Sequence, residues 1–147
     1  MKNKFKKSHG GREMLTPVKY KKDLTNDCSV RAITHAFYGV DENQKEGYML
    51  GYEVMRDRLF EIAKKMFRMP NDDLVIEKLL NDLGIKKHSP LTHHGKKKYK
   101  IGNFPLKGTY LIRLSGHITC LKDGVILDTY DCRGWKAQSF YKIKEGK

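Results

Sequence analysis

Three residues able to assemble a nucleophilic thiol occur in a fixed order in this chain: Cys28, then His117, then Asp128. Cys28 follows Thr25-Asn26-Asp27 and opens a stretch of helical periodicity. At a helix start the unsatisfied N–H groups and the positive end of the dipole favour thiolate over thiol. A histidine and a carboxylate arriving from elsewhere then complete a Cys-His-Asp set for attack on a carbonyl. Each residue alone has an ordinary structural explanation. A lone Cys is a small buried hydrophobe, a lone His is half-buried on a strand, and an Asp after a hairpin is surface. The catalytic reading depends on elements that bring all three together.

Those elements can be read from periodicity. Val30, Ile33, Ala36 and Phe37 recur at helical steps from Cys28, with Asn26 or Asp27 as N-cap and Gly39 as terminator. A second helix is expected over about Tyr48 to Phe67, with Tyr52, Met55, Leu59, Ile62, Ala63 and Met66 on one stripe. A third is expected after Pro70, capped by Asn71, burying Ile76, Leu79, Leu80 and Leu83 and ending at Gly84. Downstream the period falls to 2, with strands expected at Thr109–Leu114, His117–Leu121, Val125–Tyr130 and Ala137–Ile143. Helices followed by an antiparallel meander make an α+β fold.

Asp123-Gly124 is a two-residue hairpin signal and sets the register. Lys122 then pairs with Val125, Thr119 faces Asp128, and His117 faces Tyr130. His117, Thr119, Ile126, Asp128 and Tyr130 share one face of the sheet. His117 and Asp128 become diagonal neighbours, about 7–8 Å apart at the backbone, which suits a carboxylate orienting an imidazole. Asp131 points to the other face unless the strand bulges. Cys132 shares the parity of Asp128 but has no helix dipole, and Cys120 faces away as core. His35 lies two helical turns from Cys28, roughly 10 Å, too far for a direct hydrogen bond. His93-His94 diverge and have no further ligand at metal spacing, so no metal or other cofactor is expected.

The chain has 147 residues, a formal net charge of +13 and three cysteines. One domain is expected over 23–147, preceded by a basic, flexible tail at 1–22. The tail carries net +7 and a lysine-rich loop at 84–100 carries net +6, which together equal the excess. Lys96, Lys97, Lys98 and the tail are candidates for a weak polyanion contact. Aromatic interleaving there is thin: Phe5, Tyr20 and Tyr99. No apolar run is long enough to cross a membrane, and the basic start lacks the apolar core of a secretory leader. An odd, small number of cysteines reads as free thiols in a reducing compartment, so a cytoplasmic location is expected (host cytoplasm for a viral protein).

Asn26-Asp27-Cys28-Ser29-Val30-Arg31-Ala32, then Gly116-His117-Ile118-Thr119, Asp123-Gly124 and Asp128-Thr129, resemble the papain-like cysteine peptidase superfamily. The nearest likeness is to small bacterial and bacteriophage proteins related to bacteriocin-processing peptidases, over about residues 24–143. The resemblance implies a helix-borne nucleophile, Cys28, packed on an antiparallel sheet, with His117 as general base and acid and Asp128 as orienting carboxylate. The family usually places a Gln oxyanion donor several residues before the Cys. Lys22 stands six residues before it and no Gln lies upstream, so the expected oxyanion donors are the Cys28 N–H and the Asn26 side chain. Peptidase, isopeptidase, deamidase, amidase and acyltransferase activities all remain open under this resemblance. The competing expectation is a basic nucleic-acid- or protein-binding module on an inactive fold of this type.

Overall fold

The computed structural model describes residues 2–7, 28–38, 45–93 and 95–145. The expected α+β class holds: three helices among the described residues pack against a six-stranded sheet. Helix α1 covers Cys28–Tyr38, α2 Lys45–Met66 and α3 Asp73–Asp82. The strands are β1 (Lys4–Lys7), β2 (Lys87–His88), β3 (Thr92–His93), β4 (Lys97–Lys98), β5 (Gly108–Leu114), β6 (His117–Lys122), β7 (Val125–Asp128) and β8 (Ser139–Glu145). The main sheet has the order β1-β7-β6-β5-β8-β2, antiparallel throughout except for the parallel pair β1 and β7. β3 and β4 form a separate small hairpin.

The period-2 alternation of the strands divides the apolar residues between two cores. Leu111, Ile118, Cys120 and Tyr141 face the helices and meet Val30, Ile33, Tyr52, Leu59, Ile76 and Leu80. Tyr110, Ile112, Leu114, Leu121, Ile126 and Phe140 face the other way, where Ile101, Phe104, Cys132 and Ala137 cover them. α1 lies between α2 and β6 and is buried on nearly every side from Ser29 to Ala36. Its buried Thr34 hydroxyl is satisfied by donating to the Val30 carbonyl at 2.7 Å. A helix fixed this firmly holds its first residue, Cys28, in one place.

The α3 expectation needs two corrections. Asp72, not Asn71, is the N-cap, accepting from the Leu74 N–H at 2.9 Å. Leu83 is 40% exposed, because the chain turns out of the helix there. Gly84, at φ +80°, lets the Gly84 and Ile85 amides reach back to the Asn81 and Leu80 carbonyls. The Asp123-Gly124 turn forms as expected: both residues have positive φ, +48° and +80°, and Lys122 pairs with Val125.

The first residues of the chain depart most from expectation. Lys4–Lys7, assigned to a flexible tail, form a strand of the sheet, and Asn3 before them is anchored to the fold. β1 pairs Lys4 with Val125 through to Lys7 with Asp128. Asn3 is buried, and its amide group donates to the carbonyls of Ile101 at 2.8 Å and Phe104 at 3.2 Å. A strand of three lysines around Phe5 has one apolar residue to bury, too little for a periodic signal. The 84–100 segment likewise is not a plain loop, since β2 pairs with β8 and β3 pairs with β4.

Candidate active site

The site is built where the start of α1 meets the start of β6 and the end of β7. The register places His117 diagonally across from Asp128, and the side chains close the gap. His117 Nε2 lies 2.6 Å from Asp128 Oδ2, with both residues buried. The Nε2–H therefore donates to the carboxylate, which leaves Nδ1 for the hydrogen bond between His117 and the Cys28 thiol. The backbone N–H of Ile118 also points at the sulfur. Cys28, His117 and Asp128 are thus brought together at one place.

Electrostatics set the proton positions. Burial alone would push the Cys28 thiol up. The His117 hydrogen bond, the Ile118 N–H and the charges of His117 and Arg31 more than offset it and hold the thiol below its ordinary value. Burial by itself would lower His117, but hydrogen bonds to Asp128 and Cys28 and their negative charge raise it to about 9. For Asp128, burial is outweighed by the hydrogen bond and charge of His117 and by the Thr129 N–H, so the carboxyl lies below its usual range. Together these shifts favour a thiolate–imidazolium pair over the neutral one. At the helix start, dipole and N–H groups add in the same direction.

Two supporting residues were not placed at this site from sequence. Arg31 stands one turn after Cys28 on the same helix face and places a guanidinium nitrogen 3.9 Å from Asp128 Oδ1. With it, the two negative and two positive groups of the site balance. The three-residue step from Cys28 was the available signal. The second is Asn71, whose side-chain oxygen accepts from both the N–H (3.4 Å) and the hydroxyl of Ser29. Instead of capping its own helix, Asn71 satisfies an amide at the start of α1. No local pattern announces a cap supplied across a sequence separation of 42 residues.

The competitors separate cleanly. Asp131 is turned to solvent and held by Arg133, with nitrogen–oxygen distances of 2.9 and 2.7 Å, so it is not the orienting acid. Cys120 is fully buried and pushed up to about 12 by that burial. Cys132 comes within 3.9 Å of Asp128 Oδ2, yet burial and the Asp128 charge push its thiol up to about 12. His35 is buried in α1; burial, with Arg31 and Lys122, lowers it to about 4 against the opposing pull of Asp128, so it stays neutral. Asn26, the expected oxyanion side chain, lies outside the described residues, as do Asp27 and Gly39. Among the described residues no cluster of His, Cys, Asp and Glu can hold a metal, and no helix is long and apolar enough to cross a membrane.

Beside His117 stand two exposed aromatic rings, Tyr130 with centroids 5.0 Å apart and Trp135 at 6.5 Å. Tyr130 follows from the strand register. Trp135 does not, because the turn over residues 131–136 brings it back. Comparison with protein-family models, with curated proteins and with solved structures finds no match for this chain.

Proposed function

We propose that this chain is a cysteine hydrolase of papain-like arrangement, attacking a peptide or amide carbonyl through Cys28, His117 and Asp128. The observation that carries the reading is His117 hydrogen-bonded on one side to the helix-start thiol and on the other to a buried carboxylate. The chain order of nucleophile on a helix, then His and Asp on an antiparallel sheet, supports the papain-like part. Free cysteines are consistent with action in a reducing compartment such as the cytoplasm.

The chemistry follows from the proton positions. The Cys28 thiolate adds to the carbonyl carbon, and the electron pair moves onto oxygen. The Cys28 N–H, one of the helix-start amides without an intrahelical acceptor, donates to that oxyanion. The imidazolium then gives its Nδ1 proton to the leaving nitrogen, the C–N bond breaks, and an acyl-thioester stays on Cys28. His117, now neutral, takes a proton from water as its oxygen attacks the thioester, and the acid product leaves with the thiolate restored. Asp128 keeps the ring in the required tautomer throughout.

Incubation with a mixed peptide pool, followed by mass spectrometry, tests the reading. Acyl adducts on Cys28 and cleaved or deamidated peptides are expected, and both vanish in Cys28→Ala. Turnover that survives in Cys28→Ala would overturn it.

A further inference from the structure

The segments that cover the sheet on the side away from the helices are rich in lysine. From residue 84 to 107 the chain contains no Asp or Glu; Lys87, on the edge strand β2, pairs with Glu77 of α3 at 3.9 Å, while Lys96, Lys97, Lys98 and Lys100 are exposed. The helical side is different: there cations pair with acids along the helices and their joins, as in Glu61–Lys65, Arg68–Asp72 and Lys78–Asp82. Within the basic layer, Lys100 and Lys136 form an antiparallel bridge. Next to it Lys98 reaches Gln138, continuing the same register. Like charges directly opposite one another in a sheet destabilise it. A repulsive pair kept at an exposed position breaks the local consistency of the fold, which is where a ligand is to be sought.

The bridge leads directly to the two exposed rings. Trp135 adjoins Lys136, and the Ile101 N–H next to Lys100 donates to the Trp135 carbonyl at 2.8 Å. Trp135 and Tyr130 lie 5.9 Å apart at 54° to each other, 43% and 40% exposed. Lysines alone would suit any polyanion. Lysines ending at two open π-faces suit one whose units carry both a phosphate and a flat ring. The one acid in the adjoining turn, Asp131, is already neutralised by Arg133.

We propose that this face binds single-stranded nucleic acid, with phosphates along Lys98, Lys100 and Lys136 and a base on the Trp135–Tyr130 rings. A bound strand would lie beside the His117 edge of the candidate active site and so hold the protein, and whatever it acts on, at a nucleic-acid assembly.

Trp135 is the sole tryptophan of the chain, so its emission reports this site directly. Titration with a ten-nucleotide oligo-uridine or oligo-thymidine at low salt is expected to quench that emission. Three phosphate contacts predict a slope of about −2 for log affinity against log salt. The decisive variant is Lys136→Glu. It replaces repulsion across the bridge by attraction, so it should raise the melting temperature while weakening oligonucleotide binding about tenfold or more. A folding defect cannot mimic that combination of signs. Lys64→Glu with Lys65→Glu, on α2, should leave binding unchanged. The proposal fails if no quenching occurs, if Lys136→Glu binds as the parent does, or if polyglutamate displaces the oligonucleotide at equal charge concentration, which would mark an acidic-protein surface instead. No turnover is needed for any of these readings, so they are independent of the Cys28 chemistry.

Discussion

The start of α1 and the turn after β7 each bring a cysteine to the buried His117–Asp128 pair. Cys28 meets the His117 ring, the Ile118 N–H and the positive charges of His117 and Arg31. Cys132 meets the carboxylate end, 3.9 Å from Asp128 Oδ2. Both are substantially buried, so desolvation opposes ionisation in each. The partners decide the outcome: donors and cations lower Cys28, while an anion adds to burial at Cys132 and takes it to about 12. Proximity to a His-Asp pair is therefore not what makes a thiol reactive. The end of the pair that it faces is.

Asp128→Ala should disturb the site most. It removes the group that holds the His117 tautomer, and acylation should slow by about 10²–10⁴-fold in single-turnover kinetics. Asp131→Ala should leave the rate close to the parent's, since Asp131 faces Arg133. Equal losses in the two variants would refute the assignment of Asp128.

Next in size is the contrast in labelling. At pH 7 a thiol displaced to about 12 is almost wholly protonated. Iodoacetamide should therefore modify Cys28 about 10³-fold faster than Cys132, allowing for the weaker intrinsic nucleophilicity of a low-pKa thiolate. Cys120, also at about 12 and fully buried, should label no faster than Cys132. Peptide mapping by mass spectrometry reads all three sites, and comparable rates would remove the basis of the comparison.

A smaller effect lies in the pH profile. The thiolate–imidazolium pair forms once Cys28 ionises, below the ordinary thiol range, and is lost as His117 deprotonates near pH 9. Acylation should rise on the acid side and fall through about pH 9, where the proton owed to the leaving nitrogen disappears. Arg31→Gln removes a charge that favours the thiolate, so the acid limb should move toward alkaline pH. A limb that stays put would show Arg31 acting only on packing.

The smallest expected change is thermal. Asn71→Ala deprives the start of α1 of a cap and should cost about 1 kcal/mol, roughly 3 °C in melting temperature for a chain of this size. Calorimetry measures the loss, and the Cys28 labelling rate shows whether a loosened helix start also weakens the thiolate.

Much of this arrangement was legible because it depends on strong local rules. Asp123-Gly124 fixed the β6–β7 register, and the register placed His117, Thr119, Asp128 and Tyr130. The three helices followed from apolar stripes such as Tyr52, Met55, Leu59 and Ala63. What escaped the reading is joined across long separations. β1 holds one apolar residue and takes its place from β7. Asn71 resembles a local cap but serves Ser29. The three-residue step from Cys28 to Arg31 was visible, but its partner Asp128 was not; Trp135 reaches the site through the closure of a turn, which neither composition nor spacing encodes.

The parallel pairing of β1 with β7 has a consequence for the order in which the molecule is assembled. Lys7 is partnered with Asp128, and Asn3 with the carbonyls of Ile101 and Phe104. β1 cannot dock until β7, far downstream in the chain, is available to pair with it. Such a long loop closure is slow, because its entropy is lost before the contacts reward it. Until β1 docks, the outer side of β7 is an open edge with unpaired N–H and C=O groups. Docking of β1 closes that edge along its whole length, from Val125 to Asp128.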